Sequence, residues 1–188
     1  MRRLVWMMSV SLDGFIAGPN GELDWQLVDE ELHREFNHVV ASSGAMLEGR
    51  VMHEMMAGFW PTADQDPANP PAMVEFAGIW RETPKIVYSR TLTDAAWNAT
   101  LVPEVVAEEV LALKAEAGSD LLTGGADLAG TFLRLGLIDE FRIYVHPAIL
   151  GAGTRMLPPT EGPLPLRLVE SRTFTSGVVL LRYETAGS

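Results

Sequence analysis

Short apolar runs of strand length alternate with segments whose apolar residues recur at helical spacing, and this alternation restricts the chain to few folds. Residues 3–12, RLVWMMSVSL, are nearly continuous in apolar character, the pattern of a strand covered on both faces. Residues 29–42 carry Leu32, Phe36, Val39 and Val40 at helical spacing behind an acidic first turn, which predicts a helix. AMLEG (45–49) reads as a short strand, and Arg50 to Phe59 as a methionine-rich helix. Residues 60–73, with Pro61, Pro67, Pro70 and Pro71, read as a surface loop followed by a short helix. KIVYS and WNATLV then read as strands, and PEVVAEEVLALKAEAG as a helix with Pro103 at its first position and a glycine past its end. SDLLT is a buried strand, ADLAGTFLRLG a helix and DEFRIYVHPAIL a longer strand. After the turn-rich GAGTRMLPPTEGPLPLR, two strands close the chain around a Ser176-Gly177 turn. The expectation is one α/β domain over residues 1–188, its sheet mostly parallel with an antiparallel C-terminal end.

Composition narrows the function. The formal charge is -11, with 25 acidic against 14 basic side chains. The only lysines are Lys85 and Lys114 and the arginines are scattered, so no basic stripe exists for a nucleic acid. Absence of cysteine removes disulfides, thiolate metal sites and a thiol nucleophile together. No run approaches the 18 to 20 apolar residues of a membrane span, roughly the hydrocarbon thickness. The apolar start lacks a cleavage pattern and reads as a buried strand. A soluble, cytoplasmic protein without membrane, nucleic-acid or metal partners is expected.

In an open α/β sheet, ligands sit beyond the carboxyl ends of the strands. There the chain places Gly49-Arg50, Ser89-Arg90 and Gly124-Gly125. A glycine pair lets backbone approach a phosphate and opens a helix whose free amides favour an anion, while the arginines supply local positive charge. Packing alone also accounts for a glycine pair, and solvation for an arginine at a helix start. The G-x-G-x-x-G and G-x-x-x-x-G-K fingerprints are both absent.

SLDGFIAGPNGELDW (11–25), EGR (48–50), VYSR (87–90), LLTGGADL (121–128) and GLIDEFRIYVHPAILGAG (136–153) together resemble the dihydrofolate reductase fold. Within it, they are similar to the reductase domain of the bifunctional riboflavin-biosynthesis deaminase-reductase and its stand-alone relatives. The resemblance implies a three-layer fold with helices on both faces of the sheet, and NADPH as cofactor. It implies that Arg50, Ser89 and Arg90 surround the adenosine 2'-phosphate. Gly124, Gly125 and Ala126 would cover the pyrophosphate, Ile16 and Ala17 would lie against the nicotinamide, and Gly49 and Thr123 complete the expected cofactor-binding set. Riboflavin-pathway reductases usually carry a substrate-facing glutamate just before the glycine pair, where this chain has Thr123. A pterin, folate or other heterocycle therefore stands beside the 5-amino-6-(5-phosphoribosylamino)uracil-like substrate as an expectation.

Hydride transfer requires a positioned acceptor, exclusion of water and a proton source. The glycine-bearing loop from Asp13 to Trp25 can close over such a site, with Phe15 and Trp25 as its walls. Asp13 and Glu30 are the carboxylates taken as catalytic. Asp13 also fits as a turn former or structural hydrogen-bonding group, and Glu30, with Asp29, as a complement to the helix dipole. His53 reads as a surface or cofactor-edge residue. The apolar stretches IYVHPAIL and VVLLRYE suggest strands that are covered or paired with a second subunit, hence a homodimer. The rival reading is a nucleotide-binding or dimeric protein of this fold without turnover.

Overall fold

The computed structural model describes residues 1–160 and 162–186. In chain order the elements are β1 (Leu4–Ser11), β2 (Phe15–Ala17), α1 (Glu30–Ala41), β3 (Ala45–Gly49), α2 (Arg50–Ala57), a 3-10 turn (Trp60–Gln65), α3 (Pro71–Glu82), β4 (Lys85–Tyr88) and β5 (Ala99–Val102). There follow α4 (Ala107–Ala115), β6 (Leu121–Thr123), α5 (Asp127–Arg134), β7 (Glu140–His146), β8 (Thr154–Arg155), β9 (Leu166–Thr173) and β10 (Val179–Thr185). An eight-stranded sheet has the order β5-β4-β3-β6-β1-β7-β10-β9, and β2 pairs with β8 separately. Pairing is parallel from β5 to β7 and antiparallel for β7-β10 and β10-β9. The mostly parallel sheet with an antiparallel C-terminal end is the expected architecture.

Alternation along β1 divides the core into two layers. Leu4 and Trp6 pack with Leu47, Val110, Leu128 and Phe132, so α4 and α5 cover one face. Val5 joins Val39, Met46, Phe76, Trp80 and Leu122, so α1 and α3 cover the other. Helices therefore lie on both faces. Asp29 starts α1 as its N-cap, its carboxylate accepting from the Leu32 amide at 2.9 Å.

Several local expectations change. Helix α4 begins at Ala107, not at Pro103: Val106 is extended, and β-branched Val105 packs against the core before the helix starts. The 60–73 stretch is not only loop, since Pro61 and Ala63 are buried in the 3-10 turn, and the helix after it runs the full length of α3. The segment 15–17, read as loop, pairs with 154–155, read as turn. Strand β7 stops at His146 because Pro147 has no amide to continue the ladder. The stretches IYVHPAIL and VVLLRYE supply β7 and β10, which pair with each other, so the exposed edge is β9, where Leu166, Leu168 and Val169 face solvent. Of the turn-rich segment before β9, Glu161 lies outside the described residues.

Glu140, completely buried in β7, anchors the antiparallel end. Its carboxylate accepts from Arg3 Nη1 at 2.7 Å, Arg142 Nε at 2.7 Å and Arg182 Nε at 3.1 Å. Burial pushes its pKa up, but the hydrogen bonds from Arg182 and Arg142 outweigh it, and the net displacement is downward. A carboxylate depressed in this way contributes stability above its unfolded pKa, about 4.3, and loses it as the pH falls through its folded value. Glu140→Ala is expected to cost about 3 to 5 kcal/mol in chemical denaturation at pH 7, because it removes the one ion pair of Arg142 among the described residues and weakens those of Arg3 and Arg182 beside the core. A loss no larger than that of a surface substitution would contradict this role.

Candidate functional site

Five parallel strands beginning at one end of the sheet must finish at the other, so the turns after β1, β3, β4, β6 and β7 share one edge. Gly49 pairs in register with Tyr88, which puts Arg50 beside Ser89. Leu47 pairs with Thr123, one residue before the glycine pair. Direct contacts close the set. A Cβ on Gly49 would lie 3.6 Å from Leu128 Cβ of α5, and the Tyr88 ring meets the Phe132 ring of α5 at 5.7 Å. Strands β4, β3 and β6 are neighbours, so the three turns that follow them lie side by side at one edge of the sheet, with α5 touched at Leu128 and Phe132.

Each turn is fixed by specific bonds. Glu48 and His53, both buried, hydrogen-bond at 2.9 Å across the β3-α2 corner, so His53 is a clasp within the turn and not the surface residue expected. The bond satisfies Glu48 Oε2, while the buried Oε1 has no hydrogen-bond partner among the described residues. Arg50 Nη1 pairs with Glu54 at 2.8 Å on an exposed helical turn, a contact easily exchanged for a stronger anion. The Ser89 hydroxyl oxygen accepts from the Thr91 and Leu92 amides, shaping the turn that presents exposed Arg90. Thr123 is buried and donates to the Leu47 carbonyl at 3.0 Å, so its side chain belongs to the wall. Gly125 adopts φ +75. Its carbonyl accepts from Trp6 Nε1 at 3.1 Å and its amide lies 3.3 Å from Met8 Sδ. At Gly124 a Cβ would lie 2.8 Å from Met52 Cε and 3.5 Å from the Met7 carbonyl oxygen. Gly124 thus leaves room for Met52 and Gly125 supplies the positive φ of the turn, and with the turns that carry Arg50 and Arg90 on the same edge of the sheet this fits a phosphate-bearing cofactor.

The loop after β1 is sewn to the segment after β7. Leu12 donates to the Ala148 carbonyl at 2.8 Å, and Met156 to the Gly14 carbonyl at 3.0 Å. Phe15 pairs with Arg155 and Ala17 with Thr154. Gly153 must lack a side chain, since a Cβ there would overlap the Ala17 carbonyl. Asp13 accepts from the Ser11 hydroxyl at 2.7 Å and from the Leu150 and Gly151 amides at 3.1 and 2.7 Å. The Ser11 bond, with those of Gly151 and Leu150, holds its pKa at about 2 against partial burial. Asp13 is therefore ionised at neutral pH and serves as a structural clamp, one of its sequence-based alternatives. Glu30 pairs with Arg34 at 2.6 Å on the exposed first turn of α1. The two carboxylates are engaged separately and not with each other. Ile16 and Phe15 are buried, and the Arg155 guanidinium rests 4.7 Å above the Phe15 ring. Trp25 meets His146 edge-on at 5.5 Å, so the two intended walls lie against different partners.

His146 holds the loop after β1 from the end of β7. Completely buried, it accepts the Leu27 amide at Nδ1 at 3.1 Å, so the neutral ring carries its proton on Nε2, which has no partner among the described residues. Nothing in its sequence neighbourhood points to residue 27. Burial pushes its pKa down to about 4. The folded protein then binds fewer protons than the unfolded chain between pH 6.5, about the ordinary histidine value, and pH 4. The contribution to stability is complete above that window and lost as the pH falls through it. The Leu27 amide protection factor is expected to be lost near pH 4 in the native protein. His146→Phe should remove it already at pH 7; unchanged protection in that variant would contradict the clasp.

Sheet order and two helical layers, with the similar solved structures below, place the protein in the dihydrofolate-reductase-like class of α/β folds. The chain belongs to the RibD C-terminal domain family, which it matches over residues 2–180. It is 35% identical over 187 residues to the protein YyaP of Bacillus subtilis (strain 168), described as uncharacterized, covering 99% of this chain and 96% of that protein. In structure it is similar to the Thermotoga maritima diaminohydroxyphosphoribosylaminopyrimidine deaminase/5-amino-6-(5-phosphoribosylamino)uracil reductase, with a TM-score of 0.65 and 15% identity, over 98% of this chain and 57% of that one. It is also similar to dihydrofolate reductase from Enterococcus faecalis complexed with NADP(H), with a TM-score of 0.63 and 16% identity, over 97% and 96% of the two chains. Family and fold together suggest a reductase-type function. Among the described residues no helix is long and apolar enough to cross a membrane.

Proposed function

We propose that this chain is a single-domain, cytoplasmic NADPH-dependent reductase, acting on a small heterocycle that is either pterin- or dihydrofolate-like or an aminouracil of the riboflavin pathway. What supports the reading is that the 49–50, 89–90 and 124–126 turns follow three neighbouring parallel strands and so lie side by side at one edge of the sheet. Bound there, the dinucleotide would supply a hydride. Arg50, Ser89 and Arg90 hold its 2'-phosphate, and the backbone of 123–126 its pyrophosphate. Ile16 and Ala17, fixed by the β2-β8 pair, line the nicotinamide place and exclude water. Asp13 positions this loop, and Glu30, held by Arg34 on the exposed first turn of α1, is the carboxylate assigned to the substrate.

A 2'-phosphate contact from each arginine is worth about 1.5 to 3 kcal/mol. Arg50→Ala and Arg90→Ala are therefore expected to lower NADPH affinity about ten- to a hundredfold each and leave NADH affinity nearly unchanged. An unaltered preference for NADPH over NADH would remove the assignment. The alternative of binding without turnover is favoured by one fact: Thr123 and Asp13 have their side chains engaged within the protein. NADPH absorbance followed with pterin and aminouracil substrates decides between them, since thermal stabilisation by NADPH without oxidation supports the alternative.

The exposed apolar side chains of edge strand β9 support a homodimer formed along that edge. Light scattering should give twice the 20.6 kDa chain mass. A monomer mass would contradict it.

A further inference from the structure

Every arginine except Arg90, Arg134 and Arg155 lies within ion-pair distance of a carboxylate among the described residues. In a chain of formal charge -11, a guanidinium left without an acid stands out. Arg90 belongs to the cofactor turns already described. Arg134 and Arg155 are far apart in sequence, yet both line one groove of about 370 Å³ between α5 and residues 154–159.

The groove is built for an anion. Arg134 Nη2 donates to Thr131 Oγ1 at 3.0 Å, which holds the long side chain against α5 and leaves its other donors without a partner among the described residues. The Arg155 guanidinium lies over Phe15 and makes no hydrogen bond to any described residue. Stacking fixes the plane of the group while its N–H edge meets no acceptor among the described residues, the state in which arginine grips a phosphate in two-pronged fashion. Thr131 and Thr154 add hydroxyls to the lining. Asp127 stands in the lining too, but it is within ion-pair distance of neither arginine. Ala126, the last residue of the glycine-pair turn, forms part of the same wall, so the groove opens directly from the cradle. Its volume exceeds that of a lone phosphate and falls in the range of small-molecule sites, roughly 300 to 1,000 Å³.

We propose that this groove is a second anion site, taking a phosphoryl group carried by the ligand that occupies the neighbouring cradle. The inference rests on the reductase reading for its location, but the phosphate chemistry comes from Arg134 and Arg155 alone. Two sources present that chemistry: a phosphorylated arm of the substrate, or the part of the coenzyme's pyrophosphate that reaches beyond the backbone of 123–126.

The test uses inorganic phosphate as probe, followed through the amide resonances of Thr131 and Thr154 in the full chain. Saturable shifts are expected. In an R134Q/R155Q variant the apparent affinity should fall at least tenfold, while Arg90→Gln leaves these two resonances titrating as before. Both arginines are exposed, so an unchanged melting temperature verifies that the variant is folded. With phosphate bound, NADPH is then added. Displacement of phosphate from Thr131 and Thr154 assigns the groove to the coenzyme, and retention assigns it to a phosphorylated substrate; either supports the site. Absent or non-saturable shifts, or equal affinity in R134Q/R155Q and the native chain, overturns it. If NADPH fails to bind anywhere while phosphate still titrates these residues, the coenzyme reading fails and the anion site stands.

Discussion

The parallel register of β4, β3, β6, β1 and β7 is the constraint on which the rest depends. Strands of one direction leave the sheet on one side, and adjacent strands lie about 4.8 Å apart, so three neighbouring turns fall within roughly 10 Å of one another whatever their sequences. Sequence then decides what that edge can hold. Gly124 makes room for Met52 and Gly125 takes the positive φ of the turn, the Glu48-His53 clasp fixes the corner that presents Arg50, and Trp6 reaches from β1 to the Gly125 carbonyl. The site is thus a product of the core. Trp6, Leu128 and Phe132 belong to the same packed layer that makes the domain stable.

A second tie runs across the sheet's centre. Strands β1 and β7 pair along almost their whole length, and the segments after them remain in contact through Asp13, the β2-β8 pair and His146. Such a loop is held at several points without being buried throughout, which lets it close a cleft while retaining freedom to open. Placing ionised Asp13 and neutral His146 at its two ends makes the fastening depend on groups whose charge states are fixed by their surroundings.

Much of this was legible beforehand because it is local. Apolar runs of strand length, the periodicity of α1 and the glycine pair before α5 each follow from residues close in sequence, and so did the positions of the three turns. What escaped depends on distant partners. Asp13 appears as a turn former until Leu150 and Gly151 are brought beside it, and His53 appears as a surface group until Glu48 is known to be buried. Pro103 gives a proper helix-start signal, yet the core's demand for Val105 delays α4 to Ala107. The edge character of β9 was hidden because VVLLRYE is the more apolar stretch, and only the strand order reveals that it lies inside.

Titration of the isotopically labelled chain with NADPH, read residue by residue through backbone amide shifts, tests the central claim most directly. The account requires saturable changes concentrated at residues 16–17, 49–50, 89–90 and 124–126, all fitting one dissociation constant. Changes confined to a different edge of the sheet, or turns that respond with unrelated affinities, would contradict a single shared cradle.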